Sequence, residues 1–319
     1  MRVEIADRPI RWLRRFFCAL VLPLLLGWIG CATFDRGQTL VPTRHQVRTG
    51  QFLLLSNSPM TNDSPAVRCL QALERDVERH LGFRPPVTDD PVEIYVLDDR
   101  GAFDHFLRFY HPELPPRRAF FLAQGDDRVV YTYSNPRLEE DLRHEGTHAL
   151  LHGAFGDIPL WLDEGLAEYF ETDLSLPDGE RARLEQIAAD LRGGWSPNLE
   201  RLESLTDIRQ MTPRDYREAW GWIHLCLNGP EPGKSILMDY LGETERTGDN
   251  AHIAPRLTLV QITNEQMLAH LKTLQAGPVA SKPVSEAKSV RLQDNPVEPS
   301  PRAMPLRGLF GRIRSWIGL

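Results

Sequence analysis

The sequence of 319 residues contains few cysteines and little continuous hydrophobic sequence. Only four cysteines occur, and none has the CxxC or paired spacing of a structural zinc–thiolate site. Two of them, Cys69 and Cys226, lie in the body of the chain, where they are either buried thiols or a disulfide. One mostly apolar run is present, which excludes a membrane protein with several spanning helices. Internal repeats are absent.

Positive charge is also scarce in most of the chain. The formal net charge of the whole chain is −7. Because residues 1–30 and 278–319 are both basic, residues 31–277 carry a larger negative charge than the whole chain does. An acidic body repels phosphate backbones, and we therefore expect no nucleic-acid partner. A hydrophobic fraction of 41% with 25% charged residues is typical of a chain that buries a core, in one or two compact units.

The N-terminus has the features of an export signal. Five arginines precede the mostly apolar run of residues 16–30, and the segment ends in Trp28-Ile29-Gly30-Cys31. This length is typical of a signal peptide rather than of a spanning helix. The small residue before Cys31 resembles the lipobox of bacterial lipoproteins, although Trp28 stands where that pattern usually has Leu. We expect a signal peptide over residues 1–30 and lipidation at Cys31; the alternative is an uncleaved N-terminal anchor.

The C-terminal end divides into two segments. Residues 277–305 are rich in proline and lack apolar periodicity, which predicts a disordered linker. Residues 306–319 carry apolar side chains at helical spacing together with three arginines, which is typical of a basic amphipathic helix on an anionic membrane surface. The alternative is that this helix covers a patch on the body.

The body of the chain, after a linker at residues 31–46, divides by its periodicity into two halves. Residues 47–135 have the pattern of a small α/β half with a mixed sheet, and residues 136–276 have a helical pattern throughout. The expected strands are 52–57, 92–97, 119–124 and 128–133. We therefore expect an α+β fold, in which a small mixed-sheet subdomain packs on a helical subdomain with an active-site cleft between them.

The motif His144-Glu145-Gly146-Thr147-His148 stands at the junction of these halves. Residues four apart on a helix share one face and are separated by roughly 6 Å along the axis. Two imidazoles placed in this way can bind one Zn²⁺, and Glu145 can then act on a water molecule beside it. The motif alone is suggestive, because it also arises by chance.

A second, acidic helix follows and carries Glu164, Glu168 and Glu171. The connection is long enough for this helix to return antiparallel to the first, so Glu164 can be the third zinc ligand. Glu168 lies one turn later, where it can accept a ring N–H from His144 or His148 and orient that ring. The alternative is a solvated acidic face, but several apolar residues of the same helix indicate that it is buried.

The two motifs together resemble those of the gluzincin metallopeptidases. The His144–His148 segment is followed by Trp161–Tyr169, which is similar to the downstream Glu-bearing helix of that group; Asp163 stands where Asn is commoner. Residues 47–241 also resemble a peptidase-MA-like domain of unknown function found in exported bacterial proteins. The resemblance implies a zincin-like catalytic domain over residues 47–276 and one Zn²⁺ per chain. It also implies that the ligands are His144, His148 and Glu164 and that the general base is Glu145.

The resemblance implies further roles. Related enzymes supply a Tyr or His that stabilises the oxyanion, for which Tyr216 is the candidate and His224 the rival. The strand at 128–133 is expected to be the sheet edge along which an extended substrate lies. His152 continues the helical series after His148, but an unbroken helix directs it away from a shared metal, so we expect a packed or capping residue.

These observations predict a zinc metallopeptidase that is exported and lipid-anchored in the cell envelope. Its partners are expected to be a peptide or protein substrate and a membrane, reached through the lipid anchor and the C-terminal helix. The alternative is a catalytically silent zinc- or peptide-binding lipoprotein of the same fold. The intact Glu145 argues against that alternative, because a binding protein has no use for a base beside the metal.

Overall fold

A five-stranded mixed sheet forms the N-terminal part of the protein. The computed structural model describes residues 41–83, 90–112, 114–124, 127–173, 180–247 and 252–276. The strands are β1 His45–Thr49, β2 Phe52–Ser56, β3 Val92–Leu97, β4 Phe120–Gln124 and β5 Asp127–Tyr133. Their order is β1-β2-β3-β5-β4; the two inner pairings, β2–β3 and β3–β5, are parallel, and the two outer ones are antiparallel.

Helices make up nearly all of the remaining described elements. They are α1 Pro65–Leu81, α2 Arg100–Tyr110, α3 Leu138–Phe155, α4 Leu160–Phe170, α5 Arg181–Arg192, α6 Leu199–Glu203, α7 Pro213–Asn228, α8 Gly233–Thr247, α9 Ala254–Leu259 and α10 Asn264–Ala276. A single 3₁₀ turn, Ile208–Gln210, precedes α7. The prediction of an α+β chain with a mixed sheet first and helices afterwards is confirmed. The expected signal peptide, Cys31, the linker at 277–305 and the helix at 306–319 lie outside the described residues.

Two expectations about the sheet were wrong. Strand β1 begins at His45, inside the segment assigned to the linker, because its five residues are mostly half-buried or exposed and leave a weak apolar pattern. The expected edge strand, β5, lies inside the sheet between β3 and β4. The seven residues of β5 pair with both neighbours, and the shorter β4 takes the outer position of the hairpin.

The ends of the helices follow the sequence signals. Helix α1 has Pro65 at its first position, and Gly82 closes it in the left-handed conformation with φ 71° while its N–H donates to the carbonyl oxygen of Glu78. Helix α7 begins after Thr212, whose backbone N–H donates to the Asp215 carboxylate at 2.7 Å. This cap fixes the start of the helix that carries Tyr216.

Close backbone approaches hold the central helices together. Helix α4 is almost entirely buried, and it crosses α7 at Gly165, where a Cβ would lie 2.9 Å from the carbonyl oxygen of Ala219. Helix α3 approaches α1 at Gly146, where a Cβ would lie 2.9 Å from the Leu73 side chain. Both glycines therefore allow packing distances that a larger residue would prevent.

A buried guanidinium joins three helices beside the His-Glu-x-x-His motif. The Arg143 side chain donates to the Asp76 carboxylate of α1 at 2.8 Å and to the carbonyl oxygen of Phe170, the last residue of α4, at 2.7 Å. Arg143 and Asp76 are both buried, so the Arg143 charge depends on Asp76 for its compensation. This network fixes the C-terminal end of α4 against the middle of α3.

The two body cysteines are free thiols, which decides between the alternatives left by the sequence. Burial raises the pKa of Cys69 and of Cys226 to about 12, so both thiols are protonated and unreactive near neutral pH. Among the described helices, none combines the length and the apolar composition that a membrane span requires.

Candidate metal centre

Two helices bring three potential ligands to one point. His144 and His148 lie one turn apart on α3, and both Nε2 atoms face the carboxyl group of Glu164 on α4. The Nε2–Oε2 distances to Glu164 are 3.5 Å from His144 and 3.9 Å from His148. One ligand atom from each of the three residues lies within 4.8 Å of the others. The structure thus brings together the three residues that the sequence predicted as zinc ligands.

The donor set fits a divalent metal ion. Glu164 is 1% exposed, and its Oε2 atom has no hydrogen-bond partner among the described residues. A buried carboxylate needs a compensating positive charge, and a metal ion bound between these three groups would supply it. Ligand bonds of about 2.0–2.2 Å in a tetrahedral site separate two donor atoms by roughly 3.4 Å, close to the distances found here.

A carboxylate also faces the other nitrogen of each imidazole. The Nδ1 atom of His148 lies 2.9 Å from Oδ2 of Asp163, and Nδ1 of His144 lies 3.2 Å from Oε2 of Glu171. A carboxylate at Nδ1 favours the tautomer that carries its proton there, which leaves Nε2 free to bind a metal. The arrangement therefore directs both Nε2 atoms toward Glu164.

The assignment of the orienting carboxylate differs from the expectation. Glu168 was expected to accept a ring N–H, but its carboxylate accepts a hydrogen bond from Arg183 of α5 at 2.7 Å. Arg183 also pairs with Glu171, and it holds the two carboxylates side by side. Because α4 ends at Phe170, Glu171 is the residue that reaches His144.

Asp163 has a role that the sequence analysis missed. Neighbouring residues on a helix are about 100° apart, so helix geometry alone places Asp163 on a different face from Glu164. The structure places it behind the ring of His148 instead, where it is 4% exposed. The sequence signal for this role was that Asp163, itself acidic, directly precedes the expected ligand Glu164.

No family model matches the chain, and no curated protein matches it.

Glu145 lines a cavity that opens beside His144 and Glu164 and is described below. Burial raises the pKa of its carboxyl group, and the two neighbouring imidazoles oppose this rise. A carboxylate with a raised pKa holds a proton more readily than an exposed one. Glu145 is therefore a better proton acceptor beside the metal group than an exposed carboxylate would be.

Tyr216 lies on the wall of the same cavity, near the start of α7. Burial, and after it the Glu164 carboxylate, raises its pKa to about 12, so the hydroxyl stays protonated at neutral pH. Its oxygen accepts a hydrogen bond from Nη2 of Arg117 at 3.4 Å. The rival His224 lies elsewhere, with its Nδ1 atom 2.8 Å from Nε2 of His270. Burial, and after it His270, lowers the pKa of His224 to about 3.

The remaining polar residues near the motif lie outside the group of three. The Nε2 atom of His152 is 3.8 Å from the carboxylate of Asp157, and its ring packs edge-on against Phe121. The sequence analysis expected such a packed position for His152. Asp157 is 73% exposed and faces His152 rather than the metal group.

A cavity of about 760 Å³ opens in front of these groups. Its wall includes residues of α3, α4, α5 and α7 and the loop before β4. A smaller hollow of about 70 Å³ is lined by the edge strand β4, and Arg117, Glu145 and Glu164 line both spaces. The candidate metal group therefore lies where the cavity and the hollow meet.

Proposed function

We propose that this chain is a zinc-dependent hydrolase of peptide bonds. One observation carries the proposal: the buried carboxylate oxygen Oε2 of Glu164 lies 3.5 Å from Nε2 of His144 and 3.9 Å from Nε2 of His148. Two imidazoles and one carboxylate are a ligand set of catalytic zinc sites, which keep a further position open. When bound, zinc supplies a Lewis acid that polarises a carbonyl group and makes water more acidic.

Glu145 moves the proton in this proposal. Its carboxylate takes a proton from the attacking water and returns it to the nitrogen of the departing amine. Its position on the cavity wall beside His144 and Glu164 supports this role. The raised pKa supports it as well, because it makes the carboxylate a better proton acceptor.

Tyr216 stabilises the negative charge that develops on the carbonyl oxygen. A protonated hydroxyl on the wall of a half-enclosed cavity is a suitable hydrogen-bond donor for this charge. Arg117 donates to the Tyr216 oxygen and makes its proton a better donor, because a nearby positive charge increases the acidity of the hydroxyl. Asp163 and Glu171 hold the two imidazoles in the orientation that ligand binding requires.

The substrate lies in extended form along β4. This strand is the outer member of the sheet, and its residues Phe120, Phe121 and Leu122 line the hollow beside the metal group. An edge strand offers unpaired backbone groups to which a peptide can add as a further strand. In this proposal the arrangement is that of the gluzincins, and the space between the sheet and the helices is the active-site cleft.

The proposal includes an exported protein that is anchored by lipid at Cys31. The apolar run and the lipobox-like ending before Cys31 support it, and the basic amphipathic pattern of residues 306–319 supports an added contact with an anionic membrane. Metabolic lipid labelling compares the wild type with Cys31→Ser. Equal labelling of both proteins would refute the anchor.

Hydrolysis of a mixed peptide library tests the function. We expect the purified wild type to cleave the library, a zinc chelator to abolish cleavage, and added zinc to restore it. The variant Glu164→Ala should lose both zinc and cleavage, while Asp157→Ala, which changes an exposed carboxylate of the neighbouring loop, should retain both. A zinc-loaded wild type that cleaves no peptide would instead be a silent binding protein.

A further inference from the structure

Six arginines line the large cavity, and five of them face a carboxylate. The five ion pairs are Arg100–Asp104, Arg118–Asp141, Arg137–Glu140, Arg183–Glu171 and Arg217–Asp190. The sixth is Arg117, whose guanidinium makes no ion pair with any carboxylate of the described residues. Its hydrogen-bond partner there is the hydroxyl group of Tyr216. One cavity arginine thus retains the capacity to bind a further anion.

Arg117 is placed beside the reacting groups. It lines both the cavity and the hollow along β4, as do Glu145 and Glu164. Its charge is close enough to these two carboxyl groups to favour their ionised forms. A ligand atom held by Arg117 would therefore lie next to the metal group and not at the distant rim of the cavity.

The backbone at Arg117 is fixed although its side chain is exposed. The next residue, Arg118, donates to both oxygens of the Asp141 carboxylate at 2.7–3.2 Å, and its carbonyl oxygen accepts a hydrogen bond from Thr132 of β5 at 3.3 Å. Pro115 and Pro116 directly precede Arg117 and restrict the backbone on its N-terminal side. A guanidinium on a fixed backbone loses less freedom when it binds a ligand.

The charge of the cavity also favours an anion. Six carboxylates line the cavity together with the six arginines, so the side-chain charges balance before any metal binds. A divalent ion bound to neutral imidazoles would make this space positive, although the chain as a whole is acidic. Anionic ligands are therefore attracted to this part of the surface in particular.

We propose that Arg117 binds a carboxylate group of the substrate, so that the protein prefers peptides with a negative charge close to the bond that is cleaved. The inference rests on the proposed function. Arginine suits the role because its planar fork forms two parallel hydrogen bonds with a carboxylate. The carboxylate comes either from the C-terminus of a peptide or from an Asp or Glu side chain.

Binding of matched peptide pools tests this inference separately from turnover. Four pools of fluorescein-labelled random octapeptides are used: with a free or an amidated C-terminus, and with Asp and Glu present or replaced by Asn and Gln. Their affinity for the full chain carrying Glu145→Gln is measured by fluorescence anisotropy, with and without added zinc. The variants compared in this background are Arg117→Gln, Arg117→Lys and Arg100→Gln. Arg100→Gln removes one charge from the same cavity wall.

We expect the anionic pools to bind about tenfold more tightly than the neutral pools, the size of one charge-assisted contact. Arg117→Gln should remove this preference, Arg117→Lys should retain part of it, and Arg100→Gln should leave it unchanged. A preference for the free C-terminus or for the acidic side chains identifies the source of the carboxylate. Equal binding of all pools, or equal losses in Arg117→Gln and Arg100→Gln, would overturn the inference. Cleavage of the same pools by the wild type reports on the proposed hydrolysis alone.

Discussion

At the scale of single residues, the candidate site is defined by what faces each side of the two imidazoles. Glu164 faces both Nε2 atoms, and Asp163 and Glu171 face one Nδ1 atom each. Asp163 and Glu164 are neighbours in sequence, so one turn of α4 supplies both a proposed ligand and an orienting group. The orienting carboxylates are expected to affect metal affinity nearly as much as a ligand does.

Replacement of Asp163 tests this role. Asp163→Ala should weaken zinc binding about 10- to 100-fold, because the ring of His148 loses the acceptor that orients it. Asp163→Asn keeps an oxygen acceptor and should recover part of the affinity. The measurement is a competition titration with a chelator of known zinc affinity. Asp157→Ala serves as the control, and equal affinity of Asp163→Ala and this control would contradict the role.

The imidazoles also predict how zinc binding depends on pH. Burial would lower the pKa of both rings, but Glu164 and Glu171 outweigh it at His144 and Asp163 outweighs it at His148, so both pKa values are raised. Rings with raised pKa values keep their second proton to higher pH in the metal-free protein, and zinc must displace the protons that remain on Nε2. Zinc affinity should therefore increase as pH rises, by up to about 100-fold per unit while both rings are protonated.

Competition titrations from about pH 6 to about pH 9 measure this dependence across the range in which histidine titrates. The affinity should level off once the pH exceeds the raised pKa values. An affinity that stays constant throughout would contradict the ligand assignment, because no proton would then be displaced from either ring.

At the scale of elements, the site depends on how three helices are joined. Arg143 precedes His144 on α3 and bonds both to Asp76 of α1 and to the carbonyl oxygen of Phe170 at the end of α4. This places Glu171, the next residue after α4, beside His144. The stability of the fold and the geometry of the site therefore share one buried network.

Arg143→Ala should lower the free energy of unfolding by up to about 3–5 kcal/mol, because the Asp76 carboxylate would lose its buried partner and keep only the half-exposed Arg79. Arg79→Ala is the matched control. Arg79 also pairs with Asp76, at 3.2 Å, but its side chain is 49% exposed, and its loss should cost less than about 1 kcal/mol. Urea denaturation of the metal-free proteins measures both values. Equal losses in the two variants would show that the buried pair contributes no more than the exposed one.

The sequence predicted elements better than it predicted their neighbours. The expected strands 52–57 and 92–97 match β2 and β3, because short apolar runs between turn residues act locally along the chain. The edge strand is β4 and not the expected β5. This depends on the order of the strands across the sheet, which local sequence patterns do not contain. The pairing of Glu168 with Arg183 depends in the same way on where α5 packs. Arg117 lies in an irregular loop and leaves no periodic signal at all.

At the scale of the whole molecule, many charged side chains and all the proposed catalytic groups lie around one cavity. The chain has a net charge of −7, yet arginines and carboxylates are equal in number along the cavity wall. The sheet contributes its edge strand to one side, and the helices contribute the proposed ligands, the base and the oxyanion donor to the other. A peptide bound along β4 would pass the metal group and reach Arg117.

The measurement that tests the central claim most directly is zinc content and peptide cleavage on the same samples of the wild type and Glu145→Gln. Glu145 is a proposed base and not a ligand, so the variant should retain one zinc per chain while cleavage falls about 100-fold or more. Loss of zinc from Glu145→Gln would contradict the assignment of the ligands. Full zinc content with cleavage close to that of the wild type would contradict the proposed mechanism.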